Sequence, residues 1–256
     1  MNKLAQQKVD EFYKKPLEIS PDRISESDLE NQPQLLQKYL RKIGISGTKE
    51  IKRVRLKQKG EFKLNPDSKW KSFTAEQYIN TENMSFLWYA KIKMITLINF
   101  HVIDEFVNGK GSLNAKLFNL ITVVDESGSK IDEGEFLRFL GEMTLYPSFF
   151  LHEKIKWKII NEKTLEIKLM QRDLEISGNL IFNESGFIEE FSTKRYFTDK
   201  DEITLEDWHG YWYDYEKLDG ILIPTRFKVC WDLETQEYCY IRAKITDLEF
   251  NNPNTY

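Results

Sequence analysis

The chain has 256 residues, a net charge of −4, 41% hydrophobic residues and 14% aromatic residues. That length suits one large all-β domain, and the small acidic charge excludes the basic footprint of a nucleic-acid-binding protein, so no nucleic-acid partner is expected. Two cysteines, Cys230 and Cys239, are too few for a disulfide framework.

Residues 1–32 read as a polar helix followed by a loop broken at Pro16 and Pro21, an extension ahead of a single domain at 33–256. Its start, MNKLAQQKVDEFYKK, lacks the apolar core of a secretory signal. The longest membrane-like run, 94–103, is about half the ~20 residues of a spanning helix. A cytoplasmic protein without a transmembrane segment is expected. Pro33 then suits the first turn of a short helix whose apolar face is Leu35, Leu36, Tyr39 and Leu40, and Gly44 stops it.

After Gly44 the period changes to two. Over 51–64, Val54, Leu56, Phe62 and Leu64 share one parity, while Arg53, Arg55, Lys57, Lys59, Glu61 and Lys63 share the other. This predicts a half-buried strand with a basic outer face, available to phosphates or anionic headgroups or simply solvated. Residues 85–94 alternate likewise, placing Phe86, Trp88, Ala90, Ile92 and Met94 together. Residues 102–120 read as a hairpin closed near Asn108-Gly109, a dipeptide suited to positive φ. Within it, Asp104 is a polar contact near a strand end or part of a ligand loop.

The segment IDEGEFLRFLGEMTLYPSFFL, 131–151, predicts a helix over 133–146. Asp132 is placed as N-cap with Glu135 completing a capping box, Ile131 and Phe136 form a hydrophobic staple, and Pro147 limits the far end. Phe136, Leu137, Phe139, Leu140 and Met143 cover a wide apolar arc, and Glu135, Arg138 and Glu142 share the remaining side. Five buried apolar side chains contribute on the order of 10 kcal/mol at most, against about 0.2–1 kcal/mol for an exposed ion pair. Packing therefore anchors the helix, and the charges are expected to form a solvated stripe. The sharper alternative points the stripe into a cavity bounded by the sheet, with Arg138 holding an anionic group.

Short runs follow at 156–160, 164–170, 174–183, 187–197, 220–231 and 237–250, separated by turn residues, which is the rhythm of antiparallel meanders. DWHGYWYDY, 207–215, gathers His209 with Asp207, Asp214 and several aromatics, and reads as an aromatic turn on the sheet rim or a general base among carboxylates. A turn at Glu234-Thr235 makes Cys230 and Cys239 cross-strand neighbours; a turn one residue later pairs Trp231 with Tyr240 instead. Buried reduced thiols are expected. CxxC, HExxH, phosphate loops and a G-x-S-x-G elbow are absent, so no metal and no cofactor are expected.

The spacing Arg138-Phe139-Leu140-x-Glu142 to Pro147 resembles the signature R-Y-L-x-E-x-x-W-x-P of an uncharacterised bacterial domain family, with Leu145 at the Trp position. WKSFTAEQY (70–78), FLWYAKI (86–92) and VIDEFVNGKG (102–111) resemble other landmarks of that family, in the same order, as do Trp208, Tyr215, Gly220, Pro224, Trp231, Tyr240 and Arg242. The resemblance spans about residues 33–250 and implies a fold similar to the periplasmic lipoprotein carriers (LolA/LolB-like). That fold is a strongly curved antiparallel sheet over helices, and the resemblance brings no settled activity.

The expected architecture is thus α+β: one curved antiparallel sheet, a half-barrel of about ten strands, with helices packed in its concave side. The leading functional expectation is a non-catalytic protein binding an apolar or amphiphilic, lipid-like small molecule in that concavity. Trp88, Phe136, Phe139, Leu140 and Trp157 would line it, with Asp104, Arg138 and Glu142 as polar anchors. Two other classes stand beside it. One is an enzyme using Glu142, Asp104 or His209 as acid or base, which needs two of them in one pocket. The other is an interaction scaffold docking through the basic strand face.

Overall fold

The computed structural model describes residues 3–14, 16–95, 98–117, 121–199 and 202–256. Three helices lead into the sheet: α1 (Lys3–Phe12), α2 (Glu26–Glu30) and α3 (Gln34–Ile43). α3 follows its sequence pattern, since Leu36, Tyr39, Leu40 and Ile43 are buried and Gly44, with φ 80°, ends it in a left-handed cap.

Two antiparallel meanders follow. The first is β1 (Arg53–Phe62), β2 (Lys71–Asn80), β3 (Ser85–Ile95), β4 (Ile98–Val107), β5 (Lys110–Leu117) and β6 (Ile121–Ser127). Asn108 and Gly109 close the β4–β5 hairpin with φ values of 56° and 77°, which Asn tolerates and Gly, lacking a Cβ, adopts freely. The end of that expected run, Phe118 to Leu120, lies outside the described residues. α4 (Ser129–Gly141) and 3-10 turns at Met143–Leu145 and Pro147–Leu151 carry the chain to the second meander. This comprises β7 (Ile155–Asn161), β8 (Thr164–Gln171), β9 (Leu174–Phe182), β10 (Ile188–Asp199), β11 (Glu202–Leu218), β12 (Ile221–Leu233) and β13 (Gln236–Phe250).

The meanders fuse where β1 pairs with β13, giving one open 13-stranded sheet in the order β6-β5-β4-β3-β2-β1-β13-β12-β11-β10-β9-β8-β7. α4 packs on β4, β5 and β6 and also on β9 and β10. β5 and β9 stand nine places apart in that order. Laid flat they would be about 40 Å apart, whereas a helix of this length is about 20 Å long. The sheet must therefore curl around α4, and the concave half-barrel follows from the contacts themselves.

Thirteen strands replace the ten or so expected, because three segments hide their period. In β2 the inward positions are Phe73, Ala75, Gln77 and Ile79, so half of that face is small or polar. β6, only seven residues long, falls between the hairpin expected at 102–120 and the helix expected at 133–146, and is not among the expected strands. In β11 aromatics occupy both faces: Trp208 and Trp212 point inward, with His209 and Tyr211 on the other parity. The expected aromatic turn at 207–215 is the middle of a 17-residue strand.

The main core fills the concave side. A second, smaller core lies on the convex side, where Ala5 and Val9 of α1 pack with Tyr78, Leu87, Tyr89 and Ile103, flanked by Phe12, Tyr13 and Tyr256. The basic outer face of β1 is consequently covered at its start. Arg53 is 2% exposed with Tyr13 over its guanidinium, and Arg55 stacks on Tyr256 while pairing with Glu249 at 2.7 Å.

Cys230 and Cys239 form a disulfide between β12 and β13, in place of the expected reduced thiols. Leu233 pairs with Gln236, so the turn is Glu234-Thr235 and the two cysteines stand directly opposite one another. The expectation of a cytoplasmic protein gains no support: a disulfide persists chiefly in oxidising compartments. No helix among the described residues is long and apolar enough to cross a membrane.

Candidate functional site

α4 begins one turn earlier than its capping pattern predicts. Gly128 occupies the N-cap position, and Asp132 lies inside the first turn, buried. There Asp132 accepts from the Gly111 backbone N–H and from Lys110 Nζ, both at 2.8 Å, tying the helix start to the β4–β5 hairpin. Gly111 permits the approach, since a Cβ there would stand 2.7 Å from the Ile131 carbonyl oxygen. The helix ends at Gly141 rather than near Pro147, and Tyr146 turns back to donate its hydroxyl hydrogen to the Phe139 carbonyl.

Glu135, Arg138 and Glu142 face the sheet and are not the expected solvated stripe. Arg138 donates to Asp104 of β4 and, at 2.9 Å, to Glu142; its side chain is only 16% exposed. Its guanidinium lies 4.6 Å from the Phe86 ring centroid and 5.2 Å from that of Trp88. Glu142 also accepts from Gln77, whose own oxygen accepts from Gln58. Gln58 in turn accepts from the Trp88 indole N–H at 2.9 Å. On the other limb of the sheet, Arg195 of β10 donates to Glu135 at 2.8 Å and stacks on Trp208, which bonds to the Tyr240 hydroxyl. One helix thus joins both limbs through ions seated among aromatic rings.

Burial, and next the Asp104 carboxyl beside it, push Glu135 up to about 8 against the pull of Arg195 and Arg138. Burial also opposes the Arg138 charge, but Glu142, Asp104 and Glu135 outweigh it and hold that pKa above its ordinary value. The hydrogen bonding agrees. Asp104 Oδ1 and Glu135 Oε2 are both buried acceptors lacking a donor, and the two carboxyls face each other. A proton on Glu135 satisfies both atoms. It also makes the group of three carboxyls and two guanidiniums neutral, which a low-dielectric site favours.

Of the candidate residues, Trp88, Asp104, Phe136, Arg138, Phe139, Leu140 and Glu142 come together around α4. Trp157 lies on edge strand β7, where it packs on Phe150. The open hollow expected among them is filled: Phe136, Phe139 and Leu140 are no more than 1% exposed. The acid–base candidates divide. Asp104 and Glu142 meet on Arg138, whereas His209 sits on the other face of β11, 2.8 Å from Glu190, whose hydrogen bond raises its pKa.

Sequence reading missed Gln58, Gln77 and Arg195. Each carried the same signal, a polar residue on the apolar parity of its strand: Gln58 with Val54 and Leu56, Gln77 with Phe73 and Ile79, Arg195 with Phe191 and Phe197.

The fold and site define a large, open antiparallel half-barrel held around one helix by buried ions. The chain belongs to DUF6920, a family of unknown function, which its sequence matches over residues 30–250. No curated protein matches it. Among solved structures it is similar to a DUF1329 family protein from Desulfovibrio piger (10% identity, TM-score 0.46), covering 90% of this chain and 94% of that one. A LolA superfamily protein from Nitrosomonas europaea shows 9% identity and a TM-score of 0.46 over 79% and 87% of the two chains. A putative outer membrane lipoprotein-sorting protein domain from Vibrio parahaemolyticus shows 10% and 0.41 over 78% and 85%.

Proposed function

We propose that the protein binds an amphiphilic, lipid-like molecule on the concave side of its sheet, with α4 and the 3-10 turns after it as a displaceable cover. One observation carries this reading: five ionisable side chains are sealed inside an otherwise aromatic layer. Buried ion pairs are commonly no more stabilising than apolar residues of the same volume, so packing alone does not account for ions at this depth, whereas a ligand with a polar end does. In this reading a ligand's apolar part replaces Phe136, Phe139 and Leu140 against the sheet, and Arg138 with Glu142 takes its polar end.

The test is native mass spectrometry of protein purified from cells, together with titration of an apolar fluorescent probe into the wild type and Arg138→Met. Co-purifying amphiphile, or saturable probe binding by the wild type, supports the reading. Empty protein that leaves the probe unbound in both forms removes it.

A further inference from the structure

On the convex face, away from α4, β1 to β4 and β13 surround a cleft of ≈ 410 Å³. Its lining includes Lys57, Lys59, Thr74, Lys91, His101 and Thr246. The register explains why these residues share one place. His101, Lys91, Thr74 and Lys59 lie side by side across β4, β3, β2 and β1. β13 contributes through a bulge: Lys57 pairs with Asp247 and Gln58 with Ile245, leaving Thr246 as the extra residue. Bulges of this kind re-aim a side chain, often beside a functional site. The short side chains of Thr74 and Thr246 leave a depression between longer neighbours.

The charge in this cleft is one-sided. Glu76, its one carboxylate, stands opposite Lys57 in the register. Lys59 and Lys91 flank Thr74 on either side, and neither forms a salt bridge among the described residues. Backbones two ladders apart are about 10 Å from one another, so two lysine side chains can close on a single small anion between them. The Tyr89 ring stacks on His101, and its hydroxyl lies 2.6 Å from His101 Nδ1. With that hydroxyl donating to Nδ1, the hydrogen of the neutral ring sits on Nε2 and adds a donor.

We propose that this cleft binds a phosphoryl group, held between Lys59 and Lys91 with the Thr74 hydroxyl as a further donor. The chemistry favours a compact, multiply charged anion rich in acceptors, because the two groups flanking Thr74, Lys59 and Lys91, are cations, while the one carboxylate, Glu76, stands across from Lys57. The same chemistry fits a free phosphorylated solute or a phosphate carried on a lipid headgroup. His101 is a built-in reporter. Burial, and then Lys91, lower its pKa, and a bound dianion reverses the electrostatic part of that shift.

The experiment follows the His101 and His152 ring protons by NMR in the full chain, titrated with inorganic phosphate against sodium chloride at matched ionic strength. Phosphate is expected to raise the His101 pKa by about one unit while His152 stays put. Lys59→Gln/Lys91→Gln is expected to lose at least about tenfold in phosphate affinity; both side chains are exposed, and His152 reports that the fold persists. An equal response to chloride, or a response unchanged in the double variant, overturns the proposal. A second arm uses flotation with phosphatidate vesicles and phosphatidylcholine vesicles. Lysine-dependent binding to phosphatidate alone assigns the group to a lipid. Phosphate binding with no vesicle association assigns it to a soluble ligand. Neither kind of binding refutes the site.

Discussion

Arg138 and Arg242 make nearly the same contacts in opposite settings. Arg138 bonds Glu142 at 2.9 Å and lies over Phe86 and Trp88, with both charged side chains less than a fifth exposed. Arg242 bonds Glu61 at 2.8 Å and lies 4.4 Å from the Trp70 ring centroid, with its side chain 54% exposed. Geometry alone ranks them as equals. What separates them is the alternative open to each ion when its partner leaves: bulk water on the convex face, aromatic carbon on the concave face. An ion pair therefore matters here by where it would strand its partner, and the two faces of one sheet provide an internal control.

The largest difference is expected from truncating the two arginines in parallel. Arg138→Ala leaves Asp104 and Glu142 buried beside each other and is expected to destabilise by about 3–5 kcal/mol in urea unfolding. If it costs no more than Arg242→Ala, the concave site is wet and the contrast fails.

Next comes pH. The folded-state pKa of Glu135 is raised, so its contribution is fully present below the ordinary carboxylate range and is lost as pH rises towards about 8. Thermal unfolding of the wild type should weaken by a few kcal/mol across that window. Glu135→Gln keeps an acceptor for Arg195 and a donor for Asp104 without a titrating proton. Its stability should match the wild type near pH 4 and exceed it increasingly as pH rises towards about 8, and parallel curves would refute the shared proton.

Gly111→Val comes third. It presses the β5 backbone against Ile131 and should cost about 1–3 kcal/mol, checked by the same urea midpoint. Smallest is Arg242→Ala, expected at about 0.2–1 kcal/mol and screened by salt, as an exposed pair should be.

These residues also mark what could be read before the structure. The apolar parities of β1 and β3, the Asn108-Gly109 hairpin, the α3 boundaries and the inward arc of α4 were all legible, because each is fixed by neighbours within a few residues. The direction of the charged stripe was not. Exposed and buried stripes have the same helical spacing, and only the second limb of the sheet, with Arg195 some sixty residues later, decides between them. The capping assignment of Asp132 failed for a similar reason. A long-range acceptor need, the Gly111 N–H, won over the local cap. Two of the strands lost from the count, β2 and β11, carry Ala75, Gln77 or Gly210 on the inward face, where the sheet is specified by its partners more than by its own pattern.

The seam between β1 and β13 has a consequence for how the chain is made. Val54 pairs with Phe250 there, so the middle of the finished sheet joins its earliest strand to its last. During synthesis each meander can zip up from hairpins as it emerges. β1, however, must wait with one side unpaired until almost the whole chain has been released. The ribosome thus holds a bare, ready-to-pair ribbon for most of translation, and the slowest contact to form is also the one that makes two half-sheets into a single body.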